Sequence, residues 1–162
     1  MIKIKKLHHS AYRCKDTYQT KKFYVNFLGL KLTKAFIIDT TKTNRKTKVL
    51  HSFYSLNDGS AIAFFEDPSS PFKFIKQRDF DLHIAFEVTF KDLKLFFEKG
   101  KKLGIETRGI SDHGFIKSIY FRDPNGYIIE LTTPSIKSPK QSERDLKKVL
   151  EEWDSTKPSK VY

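Results

Sequence analysis

The sequence predicts an α+β fold built from two copies of a strand–helix–three-strand module, followed by a C-terminal helix. Three observations carry that prediction. His9 and His83 each sit on an apolar stretch, Leu7-His8-His9-Ser10-Ala11-Tyr12 and Leu82-His83-Ile84-Ala85-Phe86. A helical pattern follows each and stops at Leu28-Gly29-Leu30 or Leu103-Gly104-Ile105. Each half then closes on a glycine turn and a strand, Asn57-Asp58-Gly59-Ser60 in one and Asn125-Gly126 in the other. A repeat of this kind fixes the architecture before any single residue is read.

Residues 4–14 alternate apolar and polar, the signature of a half-buried strand. Asp16 or Thr17 is placed to cap a helix carrying Phe23, Tyr24, Phe27 and Leu28, and Gly29 supplies its left-handed stop. Strands are expected near 31–38, 48–56 and 60–66, with a polar loop, Asp39 to Thr47, between the first two. The first module covers 1–67. Asp67-Pro68-Ser69-Ser70-Pro71 opens a connection over 68–80. The second module, 81–134, has a strand at 82–89 and a helix at about 90–103 with Leu93, Phe96, Phe97 and Leu103. Strands near 105–109, 115–122 and 126–133 complete it. The tail, 135–162, begins with a Pro- and Ser-containing break. It carries a last helix near 141–153, where Ser142 and Asp145 approximate a capping box. Leu146, Val149, Leu150 and Trp153 form one apolar stripe, expected to pack on the chain's own body, with a second subunit as the competing site.

Composition bounds the function. A chain of 162 residues with 38% hydrophobic and 14% aromatic content can fill a core. The single Cys14 excludes an intramolecular disulfide and suits a reducing cytoplasm; it reads as a small buried hydrophobe. No stretch approaches a membrane span or a signal peptide. The formal charge of +12 is spread over the chain and is mostly Lys. This reads as a solvated surface with mild attraction for small anions, not as a specific nucleic-acid or membrane site. The expected location is cytoplasmic.

Two histidines at repeat-matched positions and a carboxylate, Glu130, four residues after Gly126, suggest a metal site built across the modules. Two imidazoles and a carboxylate suit Fe(II), Mn(II), Zn(II) or Ni(II). His8 is expected on the opposite strand face from His9. The residue four after Gly59 is Ala63, so the first module offers no carboxylate at the matching point.

The segment Ser118-Ile119-Tyr120-Phe121-Arg122-Asp123-Pro124-Asn125-Gly126-Tyr127-Ile128-Ile129-Glu130-Leu131, with Leu28-Gly29 and Leu103-Gly104, resembles the vicinal oxygen chelate superfamily over about residues 4–134. That superfamily includes glyoxalase I, bleomycin-resistance proteins, fosfomycin-resistance enzymes and type I extradiol dioxygenases. The resemblance implies a curved, incomplete barrel around a divalent metal held by His9, His83 and Glu130, with Fe(II) favoured. It implies that Tyr120, ten residues before Glu130, bonds a metal-bound substrate oxygen. His113, in the loop entering that strand, is placed to move protons. His51 and Arg122 are candidate substrate contacts, Arg122 for an anionic group. Three protein ligands leave positions open for a bidentate substrate or dioxygen. The leading expectation is a ring-cleaving dioxygenase acting on a small vicinal-oxygen substrate. A Mn-dependent antibiotic-modifying thiol transferase or hydrolase, a glyoxalase-like lyase and a metal-free drug-binding module are the alternatives. One scaffold hosts all of these, so the site must decide. The strand edges of a half-open barrel favour a homodimer.

Overall fold

The computed structural model describes residues 2–76, 78, 80–135 and 140–156. It contains two four-stranded sheets with the same topology. In the first, β1 (His9–Arg13), β2 (Lys31–Thr40), β3 (Lys46–Ser55) and β4 (Ala61–Glu66) lie in the order β1-β4-β3-β2. In the second, β5 (His83–Glu87), β6 (Thr107–Asp112), β7 (Ile116–Arg122) and β8 (Ile128–Pro134) lie in the order β5-β8-β7-β6. In each sheet the first strand runs parallel to the last and the other pairings are antiparallel. The sheets do not close into a barrel.

Helix α1 (Thr17–Lys21) starts where Asp16 accepts the Gln19 amide at 2.7 Å, satisfying one of the free donors of the first turn. It continues in wider π-type turns over Lys22–Phe27. There Leu28 donates to the Phe23 carbonyl at 3.0 Å and Leu30 to that of Tyr24 at 2.9 Å. Helix α2 (Phe90–Lys102) is capped by Thr89, whose hydroxyl accepts the Asp92 amide. Gly100 on α2 is a contact requirement, because a Cβ there would lie 2.5 Å from the Phe121 ring.

The core is shared between the modules. Phe23, Tyr24 and Phe27 pack with Tyr54, Ile62 and Phe64 of the first sheet and with Ile119, Phe121 and Ile129 of the second. The Phe27 and Phe121 rings meet edge to face at 5.0 Å. The turn Asp123–Tyr127 is a second join. Tyr24 donates its phenol to Asp123 Oδ2 at 3.0 Å. Asn125 accepts the Lys15 amide at 2.9 Å and donates to Thr20 at 3.2 Å. Asp123 is buried and also accepts the Asn125 and Tyr127 amides, at 2.9 and 2.8 Å. Burial lifts its carboxyl above the usual range while these hydrogen bonds pull the other way. Gly126 takes φ +105°, which lets the turn reverse.

Three expectations change. The first strand begins at His9 rather than near residue 4, and Ile2, Ile4 and Leu7 are exposed. Alternation had suggested a longer strand, but β4, its partner, begins only at Ala61, opposite His9. His8 therefore lies outside the strand and does not obey its alternation: its Nδ1 lies 2.7 Å from His9 Nδ1, one ring donating and the other accepting. Helix α3 (Glu143–Thr156) forms, with Ser142 and Asp145 capping each other's amides. Its stripe does not pack on the body, and Leu146, Val149, Leu150 and Trp153 are all exposed. Among the described residues no helix is long and apolar enough to cross a membrane.

Candidate metal centre

The registers of the two sheets correspond across the three strands that carry the ligand candidates, and again where Lys34 and Arg108 pair. His9 pairs with Ala61 and Ala11 with Ala63; His83 pairs with Ile128 and Ala85 with Glu130. Phe53 pairs with Ala63 as Tyr120 pairs with Glu130. Lys34 pairs with Phe53 as Arg108 pairs with Tyr120. Each sheet thus presents one matched row, Lys34–Phe53–Ala63–Ala11 and Arg108–Tyr120–Glu130–Ala85. Strand side chains two apart share a face, so the ligand candidates fall on the same face as these rows.

On the second sheet four of the residues singled out from the sequence form one chain. His83 Nε2 lies 3.3 Å from Glu130 Oε2. Tyr120 donates to Glu130 Oε1 at 3.4 Å. His113 Nε2 lies 2.9 Å from the Tyr120 hydroxyl. The loop that carries His113 is fixed: Asp112 accepts the Gly114 amide at 2.9 Å and pairs with Lys117 at 3.1 Å. Glu130 is buried at 5% exposure, so its carboxylate depends on these partners. Burial, and then the Glu130 charge, raise the Tyr120 phenol above its usual range. The phenol is therefore held as a proton donor at neutral pH.

On the first sheet the face is aromatic. His9 lies edge-on to Phe53 at 5.2 Å and 6.5 Å from the His51 ring. His51 is buried, stacked on Phe65 at 3.6 Å, with Nδ1 3.0 Å from the Phe64 carbonyl. Burial lowers its pKa, favouring the neutral ring. Phe36 adds a further ring, 5.4 Å from His51.

The donor chemistry of His83 and Glu130 fits a divalent ion, an imidazole and a carboxylate already aimed at one point. His9 stands with the aromatic group of the other sheet. Among the described residues no three His, Cys, Asp or Glu side chains gather in an arrangement that would hold a metal. Arg122 donates to Glu106 at 2.9 Å and to the Gly126 carbonyl at 3.0 Å, tying β7 to the turn. Arg108, which the sequence reading did not single out, stands with its guanidinium 5.7 Å from the centre of the Tyr120 ring. The hairpin register that brings it there is set by the loop between β6 and β7, which motif reading alone does not resolve. A cavity of about 560 Å³ lies between the modules, lined in part by Leu28, Leu30, Ile84 and Phe86. It does not include His9, His83 or Glu130.

A family model described as the Glyoxalase/Bleomycin resistance protein/Dioxygenase superfamily matches residues 6–131. No curated protein matches the chain. Several solved structures are similar. One is a mutant of the fosfomycin resistance protein FosX from Listeria monocytogenes, complexed with Mn(II) and 1S,2S-dihydroxypropylphosphonic acid. It is 24% identical, with 83% of this chain and 97% of that one covered and a TM-score of 0.62. FosX from Mesorhizobium loti is 20% identical, with 83% and 95% covered and a TM-score of 0.62. A glyoxylase/bleomycin resistance protein/dioxygenase domain from Frankia sp. EAN1pec is 18% identical, with 82% and 100% covered and a TM-score of 0.67.

Proposed function

The chain belongs to the glyoxalase/bleomycin resistance protein/dioxygenase superfamily, and on that premise we propose that it is a divalent-metal-dependent enzyme acting on a small substrate that chelates the metal through two neighbouring oxygens. The observation that carries the reading is the continuous chain His83–Glu130–Tyr120–His113. It sets two metal donors beside a phenol and an imidazole that can pass a proton. His9 completes the ligand set. Because the three ligands do not gather within one chain, the site is completed in a homodimer, where the first sheet of one copy faces the second sheet of the other.

A bound divalent ion would supply Lewis acidity at the substrate's paired oxygens. The protein's own residues do the rest. Glu130 and His83, 3.3 Å apart, would hold the ion against the sheet. Tyr120 donates its hydrogen bond to the substrate oxygen nearest Glu130. His113 accepts from or donates to that phenol, and so connects the site to solvent through an exposed loop. The aromatic face of Phe36, Phe53 and Phe65 excludes water from the opposite side.

That aromatic face favours a planar ring as substrate, and with Ala63 leaving three ligands it supports ring cleavage with Fe(II) and dioxygen as the most specific form. A second reading, Mn(II)-supported modification of a small antibiotic, is favoured by the fold shared with FosX, solved with Mn(II). Elemental analysis of protein purified without chelator or tag, followed by a panel of catechols with Fe(II) under air, tests the proposal. Ring-cleaved product with iron bound is the expected result. No turnover with iron bound removes ring cleavage, and no metal after anaerobic reconstitution removes the enzyme reading altogether.

A further inference from the structure

We propose that helix α3 of one copy docks its apolar stripe on the outer face of the β2–β3 hairpin of a second copy, and that opposite charge selects that seat. The inference adds a second contact to the homodimer of the proposed function and uses neither its metal nor its ligands.

Two surfaces carry it. On α3, Leu146, Leu150 and Trp153 lie together with Glu143, Glu151 and Asp154 beside them. Trp153 is 62% exposed, so the stripe lacks the burial that normally stabilises an amphipathic helix. Residues three apart are neighbours on a helix surface, so Glu143 borders Leu146 and Glu152 borders Val149. The helix carries five carboxylates against three cations, in a chain whose formal charge is +12. Lys147 is paired with Glu151 at 3.6 Å, whereas among the described residues no cation pairs with Glu143 or Glu152. Helix α3 also lies beyond residues 6–131, the part matched by the family, so the shared fold does not account for it.

The hairpin is the complement. Strands β2 and β3 run ten residues each, where their counterparts β6 and β7 run six and seven. The turn is closed by Thr41, whose amide donates to the Arg45 carbonyl at 2.9 Å and whose hydroxyl accepts the Arg45 amide at 3.1 Å. Lys31–Ser55 holds six cations and one carboxylate, Asp39. Lys42, Arg45, Lys46 and Lys48 are all exposed, and among the described residues no carboxylate pairs with them. Ile37 pairs with Leu50 across the hairpin and is itself exposed. Because strand side chains alternate, this apolar pair lies on the opposite face from His51 and Phe53. A helix seated there leaves the face of the ligand candidates open.

In one chain both apolar faces stand exposed. The hairpin ends the first sheet at its β2 edge, while α3 follows β8 of the second. A twofold dimer gives each helix one hairpin on the partner and each hairpin one helix. The carboxylates beside the stripe then meet the lysines beside Ile37 and Leu50, a complementarity that also disfavours helix against helix and hairpin against hairpin.

Trp153 is the chain's single tryptophan, so its fluorescence reports the seat. The full-length protein is compared as wild type, as Lys46→Glu with Lys48→Glu, and as Glu143→Lys with Glu152→Lys. Concentrated wild type is expected to emit to the blue of N-acetyltryptophanamide, and high salt should move the emission back. Each double variant alone shows the exposed emission. An equal mixture of the two variants restores the blue shift, because reversed helix meets reversed hairpin only between copies. All four substitutions in one chain restore it as well, which a misfolded variant could not do. Exposed emission in concentrated wild type, a blue shift that survives in either double variant, or a mixture that stays exposed overturns the proposal. Metal binding by wild type is read separately, so failure of the metal-enzyme reading leaves this result standing.

Discussion

Ala63 holds in the first sheet the place that Glu130 holds in the second. Both stand one strand in from a parallel edge strand, two residues beyond the partner of a histidine, and each faces an aromatic residue, Phe53 or Tyr120. The two faces have the same geometry and opposite chemistry. Ala63 is fully buried, so Ala63→Glu places a carboxylate among Phe53 and its neighbours. The metal-free variant is expected to lose at least ~2 kcal/mol of stability in urea titration. An unchanged denaturation midpoint would show that this face is wetter than its aromatic lining implies.

Glu130→Gln, His83→Ala and His9→Ala are each expected to lower bound metal at least tenfold by elemental analysis. A shared site adds a sharper outcome. Mixing His9→Ala chains with Glu130→Gln chains and allowing exchange restores one intact site per mixed dimer. No recovery of metal in the mixture would place all ligands within one chain.

Tyr120→Phe and His113→Gln leave the ligand set intact. Turnover is expected to fall by roughly 10²–10⁴-fold, the range for a lost proton-transfer group, while metal content stays the same. A fall in metal content in either variant would make these residues supports for Glu130 instead.

Asp123→Ala removes the acceptor of four hydrogen bonds, from Tyr24, the Asn125 side chain and the Asn125 and Tyr127 amides. The donors stay buried. A loss of about 3 kcal/mol is expected, a drop of roughly 6–12 °C in Tm for a chain of this size. A scanning-calorimetry shift within one degree of wild type would mean that water takes over the acceptor's role.

The phenols around that turn set an alkaline limit. Burial pushes Tyr127 up to about 12, and burial with the neighbouring Asp123 raises Tyr24. A phenol raised in the folded state holds its stability below its ordinary value of about 10 and loses it as the pH rises through about 12. Tyrosinate absorbance and circular dichroism should therefore show the last phenols ionising together with unfolding. Ionisation of every phenol with the fold intact contradicts this, and Tyr127→Phe should move unfolding to higher pH.

Much of the fold was legible because the repeat is written in local signals. Gly29 and Gly104 stop helices, Gly59 and Gly126 turn strands, and the apolar periods between them set each element's type. Of the residues singled out from the sequence, His83, Glu130, Tyr120 and His113 come together on the second sheet, while His9 stands with the aromatic group of the first. Arg108 was not singled out, because its place depends on hairpin register. Asp123 read only as a turn residue, because its partner Tyr24 lies 99 positions away. The stripe on α3 read as core because amphipathic periodicity reports an apolar face and not what covers it.

The plug formed by Asp123, Asn125 and Tyr127 bears on how the protein can be divided. Each half of the repeat looks like an independent unit in the sequence, yet the first helix finds hydrogen-bond partners in the second half's last turn. Fragments 1–67 and 81–134 would each leave polar groups and aromatic rings of that seam bare. The natural division lies between whole chains, and a split version of this protein would behave as a complementation pair, ordered only when both pieces are present.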